Sequence, residues 1–184
     1  DRTSRGLGDV YKRQDISFKS GAAISCGTGT AWGAIDRLCL RSHEILAVFG
    51  LGPVGLSAVM IASSMGVNVI ALDTNQQRLN RAKSFGAESV LNPLKIDNVV
   101  DSIKDLTNGL GAHSSIDASS SSEARSQSIK CLRTWGKACF VGEGGNVDID
   151  VSNDLLRRQI TLIGSWTFSK PVSYTHLRAH ETYD

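Results

Sequence analysis

The sequence predicts an α/β protein: a doubly wound parallel sheet of about six strands, with helices on both faces, in a single domain. Three observations predict it. Short β-branched apolar runs alternate with longer stretches of helical periodicity, the connections between them are short, and no internal repeat interrupts the alternation. Continuous apolar runs suit strands that are covered on both faces, as parallel strands are.

The expected strands are, in order, residues 45–49 (ILAVF), 67–73 (VNVIALD), 89–92 (SVLN), 114–118 (SSIDA), 137–142 (KACFVG) and 160–166 (ITLIGSW). Helices are expected between them at residues 53–65, 76–84, 97–107 and 122–133. The first carries apolar residues at Val54, Leu56, Ala58, Val59, Ile61 and Ala62, and the others are polar-faced amphipathic stretches. Asn75 is placed to cap the second helix, and Gly66, Gly86 and Gly109 stand where helices stop. The serine-rich stretch SSIDASSSSEARS reads as a turn, because a strand enters it and a helix leaves it.

The most informative segment is AVFGLGPVGLSA, residues 47–58. Gly50, Gly52 and Gly55 form G-x-G-x-x-G with Leu51, Pro53 and Val54 between them, directly after a strand and at the opening of a helix. The first glycine permits the tight turn, the second lets backbone approach a pyrophosphate, and the third lets helix pack on strand. Free N–H groups at the positive end of the helix then face the phosphate, and Pro53 gives up an N–H that would have no intrahelical partner. Asp73, followed by Thr74, ends the next strand about 20 residues on, where a carboxylate accepts hydrogen bonds from a ribose diol and repels a 2′-phosphate. Together these features point to a Rossmann fold that binds NAD rather than NADP. The plainer alternative is a tight turn in which Asp73 merely caps the helix after it. Arg78 is expected to stack on adenine or to form a surface ion pair.

Charge and composition narrow the function classes. The chain has 20 Lys and Arg against 18 Asp and Glu, so no basic footprint for nucleic acid is expected. No run of apolar residues is long enough for a membrane helix. Four cysteines, Cys26, Cys39, Cys131 and Cys139, are scattered without a CxxC pair, which fits reduced thiols in a cytoplasmic protein.

The two ends read differently from the middle. One legal coding of SRGLGDVYKRQ (residues 4–14), taken as its reverse complement in a shifted frame, translates to VSYTHLRAHE (residues 172–181). Both resemble a translated sequencing-library adaptor. The expected division is therefore adaptor-derived sequence at 1–14 and 172–184, with the dinucleotide-binding domain at 15–171. His176 and His180, four apart as metal ligands on a helix would be, are then accidental.

SCGTGTAWGA, followed by VFGLGPVGLSA, ALDTNQQRLNRAKSFGAESVLNP, VGEGG and LIGSW, resembles the coenzyme domain of the zinc-dependent medium-chain alcohol and polyol dehydrogenases. The resemblance runs from Gly21 to Trp166. It implies that residues 50–55 bind pyrophosphate, that Asp73 and Arg78 bind the adenosine half, and that Ser119 floors the cleft. Val141 and Gly142 would meet the nicotinamide through backbone groups, Cys26 would be a ligand of the catalytic zinc, and Thr30 would stand in a proton relay. By itself Cys26 reads first as a small buried hydrophobe, a reading that only the resemblance reverses, and one thiolate cannot make a zinc site. The Cys and His-Glu ligands that the family supplies from a preceding substrate domain are missing, and His43-Glu44 lies in a turn on the wrong element. The resemblance thus implies the NAD-binding part of an enzyme that oxidises an alcohol or polyol, itself inactive without the rest. The last strand, ITLIGSW, is expected at the sheet edge, where an exposed apolar edge seeks a partner, and the resemblance implies a homo-oligomer joined there. Two other readings are a zinc-independent quinone or enone reductase of the same superfamily and a non-catalytic nucleotide-sensing module.

Overall fold

The computed structural model describes residues 24–166. Six strands, β1 (Ile45–Phe49), β2 (Asn68–Leu72), β3 (Ser89–Leu91), β4 (Ala112–Asp117), β5 (Leu132–Phe140) and β6 (Thr161–Gly164), form one sheet in the order β3-β2-β1-β4-β5-β6. Every neighbouring pair is parallel. The helices are α1 (Gly29–Leu38), α2 (Pro53–Ser64), α3 (Gln76–Ser84), α4 (Val99–Asp105) and α5 (Ser122–Lys130). This is the expected doubly wound α/β architecture.

Side chains that alternate along each strand divide the core into two. Leu46 and Val48 of β1, with Val69 and Ala71 of β2, pack under Ala34, Ile35, Ala58, Val59, Leu79 and Ala82 from α1, α2 and α3. Ala47 and Phe49, with Ile70 and Leu72, face the other way onto Val99 and Ile103 of α4 and Ile129 of α5. A one-residue slip of β1 would exchange these two sets, so burial on both faces pins the register.

Local chemistry sets the helix ends. Asn75 accepts from the amides of Gln77 and Arg78 at the start of α3. Asn98 does the same for Val100 and Asp101 in α4, which therefore begins after the expected start at residue 97. Each is an N-cap that satisfies amides lacking an intrahelical acceptor. Gly66, Gly86 and Gly109 all have positive φ at the expected stops.

Two expectations are corrected. The helix expected at 122–133 stops at Lys130, and the strand expected from 137 begins at Leu132. Ala112 pairs with Leu132 before the ladder shifts register, and Trp135 sits at φ 66 within the strand. The polar stretch LRTWGK hides this irregular start because it lacks an apolar run. The second correction concerns only the burial of β6, expected at the sheet edge, where it lies, but as a strand covered on both faces. It pairs only with β5 among the described residues, and of its four residues only Ile163 is half-buried, the rest being exposed. Its apolar sequence marks the sheet edge rather than the interior.

At the amino end of the sheet, side chains bridge neighbouring elements. His113 Nδ1 accepts the Ile45 amide at 3.1 Å, and burial, followed by the Arg133 charge, pushes its pKa below the usual histidine value. Lys137 Nζ donates to Leu38 O at 2.9 Å. The carboxyl end is left open between β1 and β4, where the strand order reverses, which is where sheets of this winding receive ligands.

Candidate functional site

At that carboxyl end the glycine loop meets the turn after β4. Gly50 has φ +85, and a Cβ there would lie 2.7 Å from Ser119 Cα. At Gly55 a Cβ would lie 1.8 Å from Gly50 O, so the loop closes on the first turn of α2 with no room for a side chain. Gly52 differs: a Cβ there would meet nothing within 4 Å. Two glycines thus allow close packing, while the middle one opens onto space.

Several amides around that space have no acceptor among the described residues. Gly50 N–H continues the sheet by donating to Leu72 O at 2.9 Å, and Leu56 N–H is the first in α2 to close a helical bond, to Gly52 O at 2.9 Å. Between them Pro53 has no N–H, and the amides of Gly52, Val54 and Gly55 have no acceptor among the described residues. Such amides at a helix start form a ready anion cradle.

Asp73 anchors the loop. It is 8% exposed, its Oδ2 accepts the Leu51 amide at 2.7 Å, and its Oδ1 accepts the Asn75 amide at 2.8 Å. Arg78 stands 3.5 Å from Oδ2 as an ion pair, with its side chain more than half exposed. One oxygen of Asp73 thus closes the turn before α3, whose N-cap is Asn75 and not Asp73. A carboxylate offers about four acceptor positions, more than the two amides use, and Asp73 lines the cleft.

A cleft of about 850 Å³ gathers Gly50, Gly52, Asp73, Thr74, Arg78 and Ser119, within the size range of cofactor sites. Leu51 is fully buried and contributes only its backbone. Val141 and Gly142 follow β5 outside the cleft lining, but a Cβ on Gly142 would lie 2.7 Å from Ser120 N, so they border its Ser119 rim. Thr30 is buried in α1.

Cys26 is exposed in a π-helical turn, Ile24–Thr28, and is not a core residue. Among the described residues no group of three or more His, Cys, Asp or Glu could hold a metal ion. His43 is exposed and Glu44 accepts the Arg41 amide, so this pair is occupied in its turn. His176 and His180 lie outside the described residues. All four cysteines are free, and burial pushes the Cys131 thiol up to about 12 and the Cys139 thiol up to about 11.

Two residues that the sequence did not single out complete the region. Asp117, fully buried at the end of β4, holds Arg125 of α5 through an Oδ2–Nε contact of 3.0 Å. Its other oxygen accepts both the amide of Ser119, at 3.0 Å, and its hydroxyl, at 2.6 Å. The available signal was an arginine at the spacing of Ser128 and Ile129, on the buried face of its helix.

Comparison with known proteins agrees with this geometry. The sequence profile of the zinc-binding dehydrogenases matches residues 53–180, past the expected boundary at 171. The chain is 36% identical over 155 residues to a zinc-type alcohol dehydrogenase-like protein of Escherichia coli, covering 84% of this chain and 44% of that one. It is 38% identical over 136 residues to alcohol dehydrogenase class-2 isozyme 2 of Oryctolagus cuniculus, covering 72% and 36%. The crystal structure of an alcohol dehydrogenase from Thermotoga maritima superposes with a TM-score of 0.81 at 26% identity, covering 91% of this chain and 48% of that one. An alcohol dehydrogenase zinc-binding domain protein from Burkholderia ambifaria gives 0.79 at 30% identity, with 91% and 47% covered. The chain spans less than half the length of these relatives.

Proposed function

This chain belongs to the zinc-binding dehydrogenase family, and we propose that within it the cleft at β1 and β4 binds NAD(H) for hydride transfer to or from a small alcohol or polyol. The observation that carries the reading is the open space at Gly52, ringed by amides that have no acceptor among the described residues and set beside a buried carboxylate. The amides of Gly52, Val54 and Gly55 bind pyrophosphate oxygens, and the vacant acceptor positions of Asp73 take the ribose hydroxyls. Thr74 and Arg78 border the adenosine, and Ser119 floors the cleft. Val141 and Gly142 orient the nicotinamide through backbone groups, and Thr30 passes on the alcohol proton. When bound, the nicotinamide supplies the hydride acceptor or donor.

Zinc does not fit the described residues by themselves, since Cys26 belongs to no group of three or more His, Cys, Asp or Glu among them. Cys26 is one ligand of a site completed by other parts of the whole enzyme. The fragment alone is therefore inactive toward alcohols. Residues 15–171 form the coenzyme domain of a cytoplasmic enzyme, flanked by adaptor-derived sequence.

Titration of the 184-residue chain with NADH and NADPH, followed by energy transfer from tryptophan, tests the reading. NADH is expected to bind at least about tenfold tighter than NADPH, because a 2′-phosphate meets the Asp73 carboxylate. Asp73→Ser is expected to narrow that gap. No binding of either nucleotide refutes the proposal, and a preference for NADPH favours the zinc-independent reductase instead.

The exposed edge of β6, with Leu162 and the neighbouring Trp166 open to solvent, is the proposed seam of a homo-oligomer. Sedimentation of the full-length protein is expected to show a concentration-dependent dimer, and a strictly monomeric protein excludes it.

A further inference from the structure

We propose that Arg125 is a positioning residue that holds the loop after β5, residues 142–145, in the place where it receives the nicotinamide half of the dinucleotide; this rests on the dinucleotide reading above. Arg125 is 7% exposed. Its Nε faces Asp117, its Nη2 donates to Gly142 O at 2.7 Å, and its Nη1 donates to Gly144 O at 2.7 Å and Gly145 O at 3.0 Å. The guanidinium lies 5.5 Å from the centroid of the Phe140 ring, at the end of the strand that delivers the loop.

Other hydrogen bonds hold only the ends of the loop: the Gly142 amide donates to Asp117 O at 2.9 Å, and the Asn146 amide donates to Ser122 Oγ at 3.2 Å. Residues 143–145 are exposed and belong to no helix or strand. Gly145 comes so close to the turn after β4 that a Cβ there would lie 2.9 Å from Ser120 O. One planar fork therefore sets the direction of three of the four loop carbonyls, those of Gly142, Gly144 and Gly145, and, through them, of the peptide planes between. Asp117 carries the same constraint to the other rim, because the oxygen not facing Arg125 holds Ser119. A single buried ion pair thus sets the spacing between the floor of the cleft and the loop expected to meet the nicotinamide. Stability alone does not call for this arrangement, since a buried ion pair is often no better for folding than apolar residues of the same volume. Preorganising backbone groups for a ligand does call for it.

Arg125→Lys is the informative variant. It keeps a positive charge for Asp117, whereas one ammonium cannot reproduce the planar fork across three carbonyls. The experiment measures binding of NADH and of ADP-ribose, which lacks the nicotinamide, to the wild-type and Arg125→Lys chains, with the urea midpoint of each. The expected result is about a tenfold loss of NADH affinity with ADP-ribose affinity changed less than about twofold. Equal losses for both ligands, or no loss for NADH, overturn the inference. A second measurement uses the wild type alone: the NMR signals of Arg125 Nε–H and of the Gly144 and Gly145 amides are expected to move on adding NADH and to stay on adding ADP-ribose. If they respond alike to both, or to neither, the inference fails even where Arg125→Lys does not fold. Failure of the wild type to bind either ligand would instead overturn the dinucleotide reading itself.

Discussion

Gly55→Ala is expected to lose about 3 kcal/mol or more of folding free energy, near the upper end of what overpacking costs. The added Cβ would sit 1.8 Å from Gly50 O, a backbone atom that cannot swing aside. Relief requires α2 to lift from β1, which separates Ala58, Val59 and Ala62 from Leu46 and Val48. A domain of ordinary stability has only about 5–15 kcal/mol in hand, so the shift should be plain in urea denaturation. A variant as stable as wild type would show that the loop is not packed as described. Gly52→Ala is the companion. Its backbone, at φ −69 and ψ −169, suits any residue, and its Cβ meets open space. Stability should stay within about 0.5 kcal/mol. NADH should nevertheless bind at least about tenfold more weakly, because the methyl group fills the space left for phosphate. The pair separates the two jobs of one motif: close packing at its end and ligand approach at its middle.

Asp117→Ala is expected to destabilise the chain by about 3–5 kcal/mol, the typical result of leaving one member of a buried ion pair alone. The carboxylate is fully buried and Arg125 nearly so. Its loss also removes the acceptor for the Ser119 amide and hydroxyl. In the double variant Asp117→Ala with Arg125→Leu, no unpaired charge remains, and much of the lost stability should return. Urea denaturation of the wild type and the variants supplies the comparison. If the double variant is as unstable as the sum of the single ones, the two side chains act independently and the ion pair is not the unit of stability.

The legible parts of this protein are those where short segments carry their own instructions. The alternation of apolar runs with helical periodicity was enough for a doubly wound sheet, because parallel strands must be covered on both faces. Asn75 and the three stop glycines act within a few residues of their positions, so they could be read locally. The glycine loop and Asp73 lie 22 residues apart at Leu51, yet strand–helix–strand geometry brings them together in any such unit. Where the sequence misled, the cause was nonlocal. LRTWGK reads as helix end and turn until Ala112 pairs with Leu132. ITLIGSW reads as a strand covered on both faces, and although its edge position was legible, an apolar run does not reveal whether its faces find cover.

By itself the sequence determined the fold class, the glycine loop and the acidic residue opposite it, since each depends on patterns spanning a single strand–helix–strand unit. Only the tertiary structure decided which glycine faces open space, how Asp73 divides its oxygens between the loop and the turn, and that Arg125 joins Asp117 to the loop after β5. These depend on distances between elements far apart in the chain, and burial alone turns a charge on a helix face into a partner for one particular carboxylate.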